Sequence, residues 1–249
     1  MKNLYLLLLV TSFLLCSCGE KKDEKAVETP KKTEDTVKKT PETKNEKAPE
    51  ASNENTGKIE MMKFDKKDVP SDLKFKGKIT GGAKWKDDNG ENYLIISETE
   101  IKNGKDKEGN DAISKELFAY NYVIKNGETT LLWQINDFVK DCPLDLALNY
   151  NIGSLSITDV NKNGIGESTF LYRMSCKGDV SPDELKLMMH EGKDKYALRG
   201  TNQLQFKVDG KTTTEGGEYK VDAAFDKAPA GFLDYAKAQW NKFKTHELN

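Results

Sequence analysis

From Glu20 to Glu60 the chain contains ten lysines, eleven acids, six threonines, three prolines and no aromatic residue. A segment of that composition buries too little apolar area to offset the entropy of ordering it. Folding is therefore confined to residues 61–249, which are expected to form a single β-rich domain around one core. The charges in the polar segment alternate finely, as in Lys31-Lys32-Thr33-Glu34-Asp35. As a flexible coil, residues 18–60 would hold a domain about 35 Å from an anchoring point.

The anchoring point is legible upstream. Lys2 supplies a positive charge, Leu4 to Leu15 are nearly all apolar, and Leu15-Cys16-Ser17-Cys18 closes the run. About a dozen apolar residues are too few to span a bilayer, which needs roughly 20, and the layout is that of a secretory signal. The closing tetrapeptide resembles the lipobox of bacterial lipoproteins, in which a cysteine is acylated and becomes the first residue of the mature chain. Small Ser17 precedes Cys18, whereas bulky Leu15 precedes Cys16, so residues 1–17 are expected to be a signal peptide and Cys18 the lipid acceptor. Several acyl chains hold a protein firmly to a membrane where one does not. Gly19 in place of aspartate, with Glu20-Lys21-Lys22-Asp23-Glu24 after it, resembles outer-membrane sorting, on the periplasmic face or at the cell surface.

Net charge is −2, from 39 Lys+Arg against 41 Asp+Glu. No global field would draw nucleic acid, and only Arg173 and Arg199 among the cations are arginine, the residue best suited to phosphate recognition. Two histidines, His190 and His246, exclude a multi-histidine metal centre. No Gly-x-Ser-x-Gly, phosphate loop or His-x-x-x-His pattern occurs.

Short runs rich in Ile, Val, Tyr, Phe and Trp, separated by Gly, Asn and Asp clusters, predict antiparallel β structure. Expected strands lie within 75–85, 93–96, 117–124, 131–135, 155–157, 168–174, 196–199, 204–208 and 219–223. Asp88-Asn89-Gly90 and Asn126-Gly127 read as hairpin turns, and residues 101–112 as a loop. Ser181-Pro182-Asp183-Glu184 has the form of a helix-capping box, yet Leu185, Leu187 and Met189 alternate as in a strand, and the hairpin is the preferred reading. Phe232, Ala236, Trp240 and Phe243 fall at helical spacing and predict a C-terminal amphipathic helix lying on a sheet. An Asn-Gly loop precedes a hydrophobic strand at 86–93 and again at 159–167, and a Glu-Leu strand comes after each (Glu116-Leu117, Glu184-Leu185). This faint repeat suggests two related four-strand units packed as a sandwich or meander.

Three constellations carry potential chemistry. Asp159, Asn161, Asn163, the Ile165 carbonyl and Glu167 occupy alternate positions of a loop with Gly164 at its sixth. Such a pattern suits a calcium loop and resembles the Asp-x-Asn-x-Asp-Gly loops of integrin-type blades. With two charged ligands, affinity would be on the order of 10⁻⁴–10⁻³ M and the role structural; an Asn-Gly turn without metal is the alternative. Cys142 and Cys176 are the remaining cysteines of the mature domain, a pair expected to form a disulfide in an exported protein, with a thiol nucleophile as the rival. That bridge would bring Asp137, Asp141 and Asp145 near Asp179, raw material for glycoside hydrolysis, although solvated loops explain these acids better. His190, alternating with Lys186 and Met188, reads as a strand-surface histidine, and Trp85, Trp133 and Trp240 as core residues.

The segments Trp133 to Asp145, Asp159 to Cys176, Gly178-Asp179-Val180-Ser181-Pro182 and Tyr196-Ala197-Leu198-Arg199-Gly200 resemble a family of Bacteroidetes lipoproteins labelled surface-polysaccharide biosynthesis proteins. The likeness covers most of residues 80–200 and implies the cell envelope as setting, without assigning catalytic residues. The expected function is that of a non-enzymatic outer-membrane lipoprotein. It would bind or scaffold surface glycan or an envelope protein, and take no nucleic acid. A carbohydrate-active enzyme using paired carboxylates is the alternative.

Overall fold

The computed structural model describes residues 58–247; the expected signal peptide, Cys18 and the expected tether up to residue 57 lie outside the described residues. Strands β1 (Glu60–Met62), β2 (Lys78–Asp87), β3 (Gly90–Glu98), β4 (Lys102–Lys105), β5 (Asp111–Lys125) and β6 (Glu128–Cys142) form one six-stranded antiparallel sheet. The second sheet begins with β7 (Asp145–Tyr150), β8 (Ser156–Thr158), β9 (Glu167–Lys177), β10 (Glu184–Glu191) and β11 (Asp194–Thr201). The chain then leaves it for the hairpin β12 (Gln203–Val208) and β13 (Lys211–Gly216), and returns as β14 (Tyr219–Val221), its sixth strand. Helix α1 (Phe232–Phe243) comes next, and β15 (Thr245–Glu247) closes a small third sheet by pairing in parallel with β12.

The expected repeat is present inside this arrangement. β2-β3-β5-β6 and β8-β9-β10-β11 are each four-strand antiparallel meanders in hydrogen-bonded order. Each is enlarged to six strands by short additions. Asn126 and Gly127 both take positive φ, 54° and 80°, which a two-residue hairpin of this type requires.

Four layers result. Ile96, Leu117 and Ala119 of the first sheet meet Leu148, Phe170, Tyr172 and Met188 of the second in the central core. On the outer face of the first sheet, Tyr93, Ile95, Phe118, Tyr120 and Tyr122 are covered by Leu73, with Val69 and Phe75 alongside, from the segment before β2. On the outer face of the second, Leu171, Leu185, Leu187, Met189 and Leu198 receive Phe232, Ala236 and Trp240 of α1. Trp85 and Trp240 are fully buried, as their positions in a strand and on a helical face imply.

Alternation decides the ambiguous stretch at 181–189. Leu185, Leu187 and Met189 face α1 while Met188 faces the central core, so both sides of β10 are occupied, and a helix would leave one side bare. Asp183 caps nothing; its carboxylate pairs with Lys177 at 2.7 Å and Arg173 at 3.5 Å. Two expectations require correction. Residues 101–112 are not simply a loop, because β4 pairs with Asp111–Ser114 of β5 in a hairpin; backbone pairing persists there although every β4 side chain is exposed, and no hydrophobic signal marks it. Folded structure also begins earlier than residue 61, since Ile59 packs beside Trp85 and Glu60 pairs with Lys86.

The sheets are joined by a disulfide between Cys142 at the end of β6 and Cys176 of β9, with Cα atoms 5.7 Å apart and a sequence separation of 34. Closing such a loop stabilises a fold by about 3–4 kcal/mol on the chain-entropy estimate. Replacing both cysteines by serine is expected to lower unfolding free energy by that amount in urea titrations of oxidised protein, without changing the far-ultraviolet circular dichroism at low denaturant.

Candidate functional site

Strand β6 brings polar groups into the space between the sheets. Asp137 accepts hydrogen bonds from the Tyr172 hydroxyl at 2.9 Å and the Lys186 ammonium at 2.6 Å. Burial raises the Tyr172 pKa out of the titratable range, and the neighbouring Asp137 charge adds to this, so the hydroxyl stays a donor. Of the other acids expected near the disulfide, Asp179 has a hydrogen-bonded carboxylate. The Asp179 carboxylate accepts from the Ser181 hydroxyl and backbone N–H, which hold its pKa below the usual range. The Asp141 N–H donates to Ser114 Oγ, and Asp145 stands opposite Lys177 across β7 and β9.

His190 overturns the expectation of a surface histidine. It is 3% exposed and stacks on Trp133 with ring centroids 3.9 Å apart and planes inclined by 12°. Trp133 comes from the opposite sheet, which the local alternation around His190 cannot reveal. Trp133 itself is only half-buried. The His190 Nδ1 has no hydrogen-bond partner.

The 159–167 loop is shaped by its own side chains. Asp159 accepts from the backbone N–H of Asn163 and Gly164, Asn161 from Asn163, and Asn163 from Ile165. Lys162 and Gly164 take positive φ. Glu167 turns inward, accepting from the Val160 N–H and the Thr158 hydroxyl. Burial raises its pKa, with the charges of Glu191 and Asp159 contributing less. Glu191, unremarked in the sequence, faces Glu167 in register and accepts from the amides of Asn161 and Asn163. Among the described residues no group of three or more His, Cys, Asp or Glu is placed to hold a metal. The loop docks on its counterpart in the other unit: Asp87 accepts from Gly166 N–H and Trp85 Nε1, and Asp88 N–H donates to the Gly164 carbonyl.

A different place holds an open cavity. A cavity of about 590 Å³ opens where β2, β3, β7, β9, the end of α1 and β15 meet, a size in the range that takes small molecules. Arg173, Lys242, Lys244 and His246 line it, with Glu98 as the one carboxylate. That carboxylate is committed elsewhere, to Lys115 at 2.7 Å and the Tyr150 N–H at 2.9 Å. Arg173 reaches His246 Nδ1 at 3.5 Å and Asp183 at 3.5 Å. Asn202, the single residue between β11 and β12, is 3% exposed. Its Oδ1 accepts from the Asp183 N–H at 2.7 Å, which fixes the amide orientation, and its Nδ2 has no partner. A second cavity of about 420 Å³ shares Thr80, Tyr150 and Ile152 with the first. Ile152 is 87% exposed at that shared rim. No sequence motif marks these residues, because six elements distant in the chain supply them.

No family of known proteins, no curated protein and no solved structure matches the chain.

Burial holds the His190 pKa at about 3, with the Lys195 charge adding to the effect. The unfolded chain takes up that proton near pH 6.5. Stability is therefore fully present above 6.5 and falls by about 1.4 kcal/mol per pH unit down to about 3. Glu167, whose pKa is raised, acts in the opposite sense over the narrower window between its unfolded and folded values. His190→Phe, which keeps a ring against Trp133, is expected to flatten the acid limb of stability measured by urea unfolding from pH 7 to pH 4.

Proposed function

We propose that the chain is a non-enzymatic lipoprotein of the bacterial outer membrane, anchored through Cys18. Its β-sandwich binds a glycan or an envelope protein in surface-polysaccharide assembly. The observation that carries this reading is the Cys142–Cys176 bridge set between the two sheets, which suits an oxidising, extracytoplasmic setting. It agrees with the lipobox-like Leu15-Cys16-Ser17-Cys18 and with the resemblance to the lipoprotein family. Binding is favoured over hydrolysis because the Asp137 carboxylate is ion-paired with Lys186 and Ser181 holds the Asp179 carboxyl below the usual carboxylate range, the opposite of what a general acid needs. The open cavity lined by Arg173 and Asn202 supports the binding reading.

Calcium at Asp159, Asn161, Asn163, Ile165 and Glu167 belongs to this proposal in a structural role. The register pairing of Glu167 with Glu191 supports it, since a cation would relieve two facing carboxylates. The alternate oxygen donors suit a hard cation.

Labelling cells with radioactive palmitate is expected to mark the wild-type protein and not Cys18→Ala, and Cys18→Ala is expected to leave the membrane fraction. Deleting the gene is expected to alter surface glycan, with restoration by the wild type and not by Cys18→Ala; unchanged glycan would overturn the assembly role. Millimolar calcium is expected to raise the melting midpoint relative to chelator. Identical melts would remove the metal and leave the loop as a self-bonded turn.

A further inference from the structure

We infer that the cavity between β7, β9 and β15 binds an acidic group, carboxylate or phosphate, carried on a sugar ring. This deepens the glycan-binding reading and rests on it for the sugar; the acidic group rests on geometry alone. Three cations line the cavity, Arg173, Lys242 and Lys244. Its one carboxylate, Glu98, already has Lys115 behind it, so the charge left facing the cavity is positive. Arg173 is one of two arginines in a chain with 39 Lys+Arg. Its guanidinium makes only 3.5 Å contacts here, to Asp183 and His246, while Asp183 has a closer partner in Lys177. A planar guanidinium so loosely held retains donors for a bidentate contact with an oxyanion.

Asn202 supplies the second argument. A buried donor without a partner costs about 1–3 kcal/mol, and the amide cannot turn over, because the Asp183 N–H requires its oxygen. An acceptor reaching this wall would satisfy Nδ2. The rest of the lining suits a polyhydroxylated body: Thr80, Asn149 and Asn151 offer polar groups, and the rings of Tyr150 and Phe243 offer apolar surface. Lys242 and Lys244 flank the end of α1, where the helix dipole also favours cations, so their placement alone would not argue for a ligand. Arg173 and Asn202 lie on the sheet side, outside that influence.

The test is calorimetric titration of the detergent-purified full chain at low salt with glucuronate, glucose 6-phosphate, inorganic phosphate and glucose. Glucuronate or glucose 6-phosphate is expected to bind at least about tenfold more tightly than glucose, with affinity falling as salt screens the charges. Preference for glucuronate points to an acidic polysaccharide as the source, and preference for glucose 6-phosphate to a phosphorylated sugar. Lys242→Glu/Lys244→Glu, both placed away from the core, is expected to weaken binding at least about tenfold, with the melting midpoint lowered by only a few degrees because the helix dipole favours cations at these positions. Asn202→Asp keeps an acceptor for the Asp183 N–H while removing the free donor, and is expected to weaken binding similarly.

Equal binding of glucose, or charge-reversed protein that binds as well as wild type, would overturn the acidic assignment. Inorganic phosphate matching glucose 6-phosphate would overturn the sugar. Absence of binding by all probes would overturn the site. None of these results touches palmitate labelling or glycan loss on deletion, so failure of the site and failure of the envelope reading are separable.

Discussion

Strand β6 is fixed to the second sheet at three levels along its length. Trp133 stacks on His190, Asp137 holds Tyr172 and Lys186, and Cys142 is bonded to Cys176. Each contact is of a different kind: ring against ring, a charge pair with a hydrogen bond, and a covalent link. Two sheets packed only through aliphatic side chains can slide, because apolar contact has no direction. These three contacts set one register of sheet on sheet, and the layers outside inherit it. Helix α1 lies on the far side of the strands that carry His190 and Lys186, so its position derives from the same seam.

The seam also explains how buried charge is tolerated. Asp137 and Lys186 would each be costly alone in the core, and they are taken out of water together with a hydroxyl completing the set. The Glu98–Lys115 pair on β3 and β5 is a second instance, and Glu98 also accepts from the β7 backbone. Through Asp137 in one case and Glu98 in the other, each pair ties one sheet to the other. The ionic groups thus determine which strands face each other, a specificity that a wholly aliphatic interface would lack.

Much of the fold was legible in the sequence because the signals were local. Asn126-Gly127 fixes a hairpin by its need for positive φ, Phe118-Tyr120-Tyr122 mark one face of β5, and Trp240 with Phe232 marks a helical face. The disulfide was legible because only two cysteines remained to pair. β4 and β13 were missed since their side chains are exposed and their pairing is made by backbone alone, and β7 because its inward residues Leu146, Leu148 and Tyr150 are set in a short run with polar neighbours. His190 misled because alternation tells which side of a strand a residue occupies and not what lies there; in a four-layer stack both sides are covered. The cavity was invisible for a related reason. Arg173, Asn202 and His246 are widely separated in sequence, and Asn202 declares itself only through a donor left without an acceptor.

The parallel pairing of β15 with β12 has a further bearing on how the molecule is completed. Gln203 N–H donates to the Lys244 carbonyl and Thr245 stands beside Gln203 in register, so the last described residues form one wall of the cavity. Both sheets, the bridge and the stacked rings are made from residues that precede Pro229. A polypeptide emerging amino end first would assemble its scaffold before its pocket, and trimming by a carboxypeptidase would erase the pocket while sparing the scaffold. Shortening from the described carboxyl end thereby costs the cavity its wall before it costs either sheet a strand.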